Sequence, residues 1–281
     1  MKIDTHQHFW RYQSHEFPWI GRSETALARD FLPPDLRPYF DKSGVDSCIA
    51  VQARCLMEET DFLLQLAADY PWVKGVIGWV DLLLPHAVQT FQDRKETKKL
   101  KGFRHILQDE PDPKGFMNSA VVLENLKQLQ AHDFIYEILL RQNQLSAADV
   151  FCARLDQYYL VIDHIGKPKI GRDTEDSFVL WYKNMKAIAA HEHVFCKLSG
   201  LVTEADLNQP PQPHVFYRYL DSCLELFGID RLLFGSDWPV CTLAAPYHAV
   251  VGLIESWSHS FSESEKVKIW SENAKKCYML A

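Results

Sequence analysis

The 281-residue chain has few of the features that mark secreted, membrane-bound or nucleic-acid-binding proteins. Its first residues, MKIDTHQH, lack the apolar segment of a signal peptide, and no stretch approaches the ~18 uninterrupted apolar residues of a membrane span. Its seven cysteines include no C-x-x-C pair, which is typical of reduced thiols. A net charge of -7 argues against the phosphate backbone of a nucleic acid as a partner. We therefore expect a cytoplasmic protein that binds neither membrane nor nucleic acid.

Internal repeats, low-complexity tracts and linkers are also absent, so we expect one domain over residues 1–281. The densest basic stretch, residues 94–101, contains Glu96 among its lysines and arginine, and we interpret it as a solvated helix face. The partners that stay open are a small-molecule substrate and further copies of this chain in a homo-oligomer.

Short apolar runs alternate with amphipathic stretches along the whole chain. The eight runs are residues 3–8, 47–53, 73–80, 102–107, 134–140, 159–164, 194–199 and 231–236. Helical patterns between them include residues 59–70, 121–132, 147–158, 178–191 and 215–227. This alternation predicts parallel strands joined by helices, and eight such units favour a closed (β/α)8 barrel of the α/β class.

Two stretches outside this alternation indicate where a site would form. A long insert rich in aromatic residues, at about residues 9–34, follows the first run, and residues 203–213 form a Pro-interrupted loop after the seventh. Both would emerge at the C-terminal end of barrel strands, where active sites are built.

Histidines and an aspartate stand where strand patterns end. His6 and His8 close the first run, and alternation places both on the same face of a strand. His164 closes the sixth run before a Gly and Pro turn, and Asp237 follows the eighth between Gly235 and Pro239. Three imidazoles and one carboxylate can hold a divalent ion and leave a position for water. A core histidine, or an aspartate that caps a helix, is the alternative for each residue alone.

Charged residues inside apolar strands require partners, because a buried unpaired charge is costly. Lys197, Arg104, His105 and Glu137 are the residues in question. Each is a candidate to contact a substrate in the barrel mouth. For Lys197, an internal ion pair with Glu137 or Asp237 is the alternative, and the residues alone do not choose between them.

Taken together, these motifs resemble the lactonase branch of the amidohydrolase superfamily, which holds enzymes similar to L-fuconolactonase and L-rhamnonolactonase and, more distantly, pyrone-dicarboxylate lactonase. The likeness extends nearly end to end. The segments that carry it are DTHQHFW, FPWI, VQA, GVIGWVDL, LKGFRHILQDEPD, VIDHIGKP, CKLSGLVTEA, FGIDRLLFGSDWPVC and ENAKKCYML.

The resemblance implies a (β/α)8 barrel, hydrolysis of a cyclic ester, and a site at His6, His8, His164 and Asp237. It also implies substrate contacts at Arg104, His105 and Lys197, and it places Glu137 where relatives tend to carry aspartate. One divalent ion, zinc foremost, is expected, because no lysine stands in place of the carbamylated lysine that bridges two metals elsewhere in the superfamily. Some relatives work without metal, so metal-independent activity is the alternative.

The mechanism that we predict has a water held by His6, His8 and His164, or by an ion that they bind. Asp237 removes a proton from this water as it attacks a lactone carbonyl, and then returns the proton to the leaving hydroxyl. Trp79 and Trp238, together with Trp10 and Trp19, are candidates to stack on the sugar ring, although each suits the core equally.

Three other functions stay open at this point. A dicarboxylate lactone would need several arginines at the mouth, and only Arg104 and Arg54 are placed for that, with Arg11 and Arg22 on the long insert as further candidates. A neutral sugar lactone therefore fits better. A metal-dependent decarboxylase of the same superfamily and a non-catalytic sugar-binding barrel are the other two.

Overall fold

Eight parallel strands form one sheet, and their order around the sheet is their order in the chain. The structure, a computed structural model, describes residues 1–91, 98–172, 174–206 and 212–280. The strands are β1 (Ile3–Gln7), β2 (Ser47–Val51), β3 (Val73–Gly78), β4 (Leu100–His105), β5 (Ile135–Ile138), β6 (Leu160–Ile162), β7 (Val194–Leu198) and β8 (Leu232–Phe234). Each overlaps one of the eight apolar runs, because strands buried on both faces are apolar throughout.

The sheet closes into a barrel where the end of β1 meets the residues that follow β8. Gln7 pairs with Trp238 in parallel, and Thr5 Oγ1 donates a hydrogen bond of 2.6 Å to the carbonyl oxygen of Phe234. The seam requires Gly235, because a β-carbon there would lie 2.6 Å from the Cβ of His6. The prediction of a (β/α)8 barrel is therefore confirmed.

Helices lie on the outside of the barrel. They are α1 (Pro33–Ser43), α2 (Glu58–Asp69), α3 (Pro113–Asn118), α4 (Ala120–Ala131), α5 (Ala148–Ala153), α6 (Glu175–Ala189), α7 (Pro213–Phe227), α8 (Tyr247–Trp257), α9 (Glu263–Val267) and α10 (Asn273–Cys277). Of these, α1 to α7 lie between strands, and α8 to α10 follow the last strand. Helices α2, α4, α6 and α7 lie where the amphipathic stretches predict them.

The helix predicted over residues 147–158 is shorter in the structure, since α5 ends at Ala153. The side-chain amide of Gln130 donates hydrogen bonds of 2.7 and 3.0 Å to the carbonyl oxygens of Leu155 and Tyr158. These bonds satisfy the two carbonyls in a non-helical connection to β6. The amphipathic pattern there therefore reflects the burial of apolar side chains and not a helix.

The interior of the barrel has an apolar layer with a charged layer next to it. The apolar layer includes Ile135, Val161 and Phe195, which belong to one buried cluster contributed by the strands. Residues two apart on a strand face the same side. Two residues beyond these three, toward the C-terminal end of the barrel, come the fully buried side chains of Glu137, Asp163 and Lys197.

The long insert lies between β1 and α1, as predicted. Trp10 and Phe31 pair across it through two backbone hydrogen bonds of 2.9 Å. In the second predicted loop, residues 207–211 lie outside the described residues. So do Arg94 and Lys95 of the basic stretch, whereas Lys101 belongs to β4, so the helix face predicted there does not extend to it.

Two further observations concern membrane spans and thiols. Within the described ranges, no helix combines the length and the apolar character that crossing a bilayer demands. All seven cysteines carry free thiols, of which six are buried and Cys55 is exposed.

Candidate active site

The four predicted site residues meet at the C-terminal end of the barrel strands. The ring centroid of His6 lies 5.0 Å from that of His8 and 4.4 Å from that of His164. Asp237 Oδ1 lies 3.4 Å from His8 Nε2 and 3.8 Å from His6 Nε2. Segments from β1, β6 and β8 therefore build one site, as the strand-end motifs predict.

Backbone hydrogen bonds hold the segments after β1 and β8 together. The amide of Asp237 donates to the carbonyl oxygen of His6, and the amide of His8 donates to that of Trp238, both at 2.7 Å. The Asp4 carboxylate accepts from the amides of His6 (3.1 Å) and Ser236 (2.9 Å). Burial raises the pKa of Asp4 to about 6, despite these hydrogen bonds.

The turn after β6 presents His164 in a left-handed backbone conformation, with φ at 54°. Its Nδ1 lies 2.9 Å from the Ser199 hydroxyl oxygen. Gly200 also has a positive φ, and a β-carbon on it would lie 2.6 Å from His164 Nδ1. Glycine is therefore needed at 200 both for the backbone conformation and for the space that the imidazole occupies.

The types of donor present fit a divalent cation. His8 Nδ1 lies 2.8 Å from the carbonyl oxygen of Val51, which only accepts, so Nδ1 carries the proton. His8 Nε2 and the Asp237 carboxylate then both offer lone pairs 3.4 Å apart, and a proton or a cation between them would relieve the repulsion. His6, His8 and Asp237 form one group of side chains close enough to share an ion, and His6, Asp163 and His164 form another.

Burial sets the protonation of these groups. Burial lowers the pKa of His6 and of His164 well below its usual value, so both imidazoles are neutral, as metal ligands must be. Burial acts to raise the pKa of Asp237, but the neighbouring His164 and His8 outweigh it and leave that pKa below its usual value. Asp237 is therefore a carboxylate at neutral pH.

Arg104 lies beside His6, with every N–H of its guanidinium engaged by the protein. Nε and Nη2 donate to Gln52 Oε1 at 3.0 and 2.8 Å, and Nη2 also donates to the Gln52 carbonyl oxygen at 2.6 Å. Nη1 donates to His6 Nε2 at 3.1 Å and to Asp163 Oδ2 at 3.0 Å. These bonds use all five donors of an arginine, so a substrate contact would have to replace one of them.

Lys197 and Glu137 form the internal ion pair that was the alternative to substrate contact. Lys197 Nζ lies 2.6 Å from Glu137 Oε2 and 3.3 Å from Asp163 Oδ1, with all three side chains inaccessible to solvent. Neither Lys197 nor Glu137 lines the cavity of about 400 Å³ that opens at this end of the barrel. Burial acts to raise the pKa of Asp163, but Lys197, His6 and Arg104 hold it well below its usual value.

Three other predicted substrate contacts, Trp79, His105 and Trp238, have side chains that do not line the cavity of about 400 Å³ at the site. His105 accepts a hydrogen bond from Trp79 Nε1 (3.1 Å), and its Nε2 lies 2.7 Å from Glu110 Oε1. Trp238 is 1% exposed and packs edge-on against Phe31, with ring centroids 5.3 Å apart. Neither these tryptophans nor His105 line the main cavity, so any role toward a substrate stays a prediction.

A cavity of about 400 Å³ opens above the site. His8, Arg104, His164 and Asp237 line it together with residues that the sequence argument did not select as site residues, namely Gln108, Asp109, Arg141, Lys167, Leu139 and Ile106. Trp10, Trp19 and Glu24 of the long insert, together with Ala53, Val240 and Leu243, also line it. Its volume is within the usual range for small-molecule sites.

A neighbouring cavity of about 560 Å³ shares four lining residues with the first, Trp19, Ala53, Ile106 and Asp109. Its other walls include His105, Arg54 and Cys55. The predicted contact His105 therefore faces this second space.

Asp163 and Gln52 are the central residues that sequence reasoning missed. For Asp163 a signal exists, because it stands two residues after Val161 and must share its interior face. Gln52 directly follows β2, and nothing in its local sequence indicates a partner in β4.

A (β/α)8 barrel with imidazoles and a carboxylate at the C-terminal ends of its strands is the architecture of an amidohydrolase. The amidohydrolase family model matches residues 3–280, and the chain belongs to this family. The family predicted from the motifs is thereby confirmed.

Similar proteins are named as lactonases. The chain is 44% identical over 287 residues to the L-fucono-1,5-lactonase of Burkholderia multivorans, covering 100% of this chain and 96% of that protein. It is 36% identical to the L-fucono-1,5-lactonase of Burkholderia ambifaria, over 88% of this chain and 83% of that one. A crystal structure of an amidohydrolase from B. multivorans with bound zinc superposes with a TM-score of 0.93 at 42% identity, covering both chains fully.

Proposed function

We propose that the chain hydrolyses the cyclic ester of a neutral sugar lactone, such as an L-fuconolactone or L-rhamnonolactone. The observation that carries the proposal is the Asp237 carboxylate, 3.4 Å from His8 Nε2, at the floor of a cavity sized for one small molecule. The two Burkholderia lactonases support the same reaction class.

In the proposed mechanism, the imidazoles orient a water and Asp237 accepts its proton. The oxygen of that water attacks the lactone carbonyl, the ring C–O bond breaks, and Asp237 returns the proton to the alcohol oxygen that leaves. The lowered pKa of Asp237 keeps it ionised for the first step. Arg104 contributes a fixed positive charge beside the reacting carbonyl.

A divalent cation, with zinc as the first candidate, would be held by His8 and Asp237, with the neighbouring His6 as a candidate third ligand. When bound, it would supply Lewis acidity that lowers the pKa of the attacking water.

The preference for a neutral substrate rests on charge pairing around the cavity. Arg141 Nη2 lies 2.6 Å from Asp109 Oδ1, and Lys167 Nζ lies 3.0 Å from Glu204 Oε1. Arg104 is paired with Asp163 at 3.0 Å. Each of these three cations is thus neutralised by a carboxylate of the protein, so among the described residues that line the cavity none of these three offers an unpaired charge to a dicarboxylate substrate.

The test is acid release from a panel of aldonolactones, followed with a pH indicator, with and without a chelator. Asp237→Asn is expected to lower kcat/KM by at least about 100-fold, the usual contribution of a general base. Asp69→Asn, the same change at an exposed carboxylate at the end of α2, is the matched control and should match the wild type.

Activity of Asp237→Asn within about tenfold of the wild type would remove Asp237 from proton transfer. Hydrolysis of dicarboxylate lactones alone, release of carbon dioxide from aromatic acids, or sugar binding without turnover would each select one of the other functions. A cytoplasmic location and an oligomeric assembly stay predictions from the sequence.

A further inference from the structure

Among the described residues, two groups of side chains could hold an ion, and His6 is common to both. The first group is His6, His8 and Asp237, and the second is His6, Asp163 and His164; within each, one donor atom per residue lies within 4.8 Å of the others. Whichever group binds a cation, His6 must offer a ring nitrogen with a free lone pair.

The partners of His6 show which nitrogen has the lone pair. Nε2 lies 3.1 Å from Arg104 Nη1, and a guanidinium only donates, so Nε2 is the acceptor. Lys197 Nζ, which also only donates, lies 3.1 Å from Nδ1, but a neutral imidazole accepts at only one nitrogen. The ring proton needs an acceptor, and Asp163 Oδ1 lies 3.3 Å from Nδ1, whereas Asp237 Oδ1 lies 3.8 Å from Nε2. Nδ1 therefore carries the proton and donates toward Asp163. Neither nitrogen of His6 is free for a metal in this arrangement.

Arg104 is held firmly in that position. Three of its five hydrogen bonds go to Gln52 and one to Asp163, and the side chain is 4% exposed. A zinc ion bound to His6 would lie about 2.0 to 2.1 Å from Nε2 along the lone pair that Arg104 Nη1 now uses. One lone pair cannot serve both, and two cations so close together repel each other.

We propose that Arg104 and a divalent cation are alternative occupants of His6 Nε2, so that Arg104 keeps His6 out of the metal site and weakens zinc binding. The inference concerns the same site as the proposed lactonase function and deepens it. It assigns Arg104 a role in setting metal affinity, separate from any role toward substrate.

The experiment measures the zinc affinity of the full-length, metal-free protein by calorimetric titration with Zn²⁺, checked by competition with a chromophoric chelator. Arg104→Gln is expected to bind zinc at least about tenfold more tightly than the wild type, a change of about 1.4 kcal/mol. Arg141→Gln is the matched control: it removes a positive charge from the same cavity, but the guanidinium of Arg141 bonds to Asp109 and to the Gln108 carbonyl oxygen rather than to His6. Its zinc affinity should stay within about threefold of the wild type.

A double variant identifies the ligand. Adding His6→Asn to Arg104→Gln should abolish the gain in affinity, because the gain requires the nitrogen that Arg104 releases. Gln52→Leu is the second route, since it removes two of the hydrogen bonds that hold the guanidinium while keeping its charge. Zinc should bind to it more tightly than to the wild type by about threefold, and circular dichroism would establish that each variant is folded.

The proposal is overturned if folded Arg104→Gln binds zinc no more tightly than the wild type, or, where that variant does not fold, if Gln52→Leu shows no gain. Equal gains in Arg104→Gln and Arg141→Gln would also overturn it, because a general reduction of positive charge would then explain both. So would a gain that survives His6→Asn. No lactone enters these measurements, so a failure of the proposed lactonase activity would be seen separately.

Discussion

Replacing Lys197 by methionine should destabilise the protein strongly, because it strands a carboxylate inside the barrel. Lys197 and Glu137 are both 0% exposed, and their charged atoms lie 2.6 Å apart. Without the ammonium, the side-chain hydrogen bond that Glu137 keeps within the described ranges is the one that the Tyr278 hydroxyl donates at 2.8 Å. Asp163 retains Arg104 at 3.0 Å.

The size of the effect follows from the burial of this pair. Removing one partner of a fully buried ion pair costs about 3 to 5 kcal/mol, whereas domains are stable by only about 5 to 15 kcal/mol. Glu137→Gln removes the stranded charge and keeps an oxygen for Tyr278. The double variant Lys197→Met/Glu137→Gln should therefore recover roughly half of the lost stability.

Urea unfolding, followed by the fluorescence of the eight tryptophans, gives the free energy of unfolding of the wild type and the three variants. A cost below about 1 kcal/mol for Lys197→Met, or a double variant as unstable as the single one, would refute the reasoning. Lactone hydrolysis on the same samples separates the two roles of Lys197. If the double variant regains stability but its KM stays raised, then Lys197 also contacts substrate.

Two further substitutions test the local geometry. Gly200→Ala should reduce lactone hydrolysis by at least about tenfold and the free energy of unfolding by about 1 to 3 kcal/mol, because the new β-carbon would lie 2.6 Å from His164 Nδ1. Gly252→Ala is the control that should retain full activity, because nothing lies within 4 Å of a β-carbon there. Burial raises the pKa of Asp4 from 3.8 to about 6. The stability that the protonated group contributes is therefore fully present below pH 3.8 and is lost as the pH rises through 6. The free energy of unfolding changes by roughly 3 kcal/mol over this range. Asp4→Asn should remove that part of the difference in unfolding free energy between pH 4 and pH 7, and an unchanged difference would contradict the assignment.

Much of the barrel could be predicted because each strand is a short apolar run between turns. The ends of strands and helices were less predictable, since tertiary contacts decide them. Strand β6 ends at Ile162, shortly before His164 adopts a left-handed conformation, and α5 ends at Ala153, before a connection whose carbonyl oxygens at Leu155 and Tyr158 bond to the distant Gln130.

The residues of the candidate site also divide into those that the sequence predicts and those that depend on distant contacts. His6, His8, His164 and Asp237 could be predicted because strand ends converge on one face of a barrel. The engagement of Arg104 could not, because its main partner, Gln52, is 52 residues away and has no distinguishing local pattern. For Lys197, the sequence left a substrate contact and an internal ion pair as alternatives. The structure places Glu137 Oε2 2.6 Å from Lys197 Nζ, which no local sequence pattern indicates.

The single cysteine whose residue is exposed, Cys55, offers a practical handle on ligand occupancy, although its sulfur is itself partly covered. Cys55 lines the space next to the main cavity, while the other six thiols are buried. A maleimide fluorophore would therefore attach at one place in the unmodified protein, slowly at neutral pH, since burial of the sulfur raises the pKa of Cys55. Its emission would report when a molecule enters or leaves the barrel mouth, without any engineered cysteine.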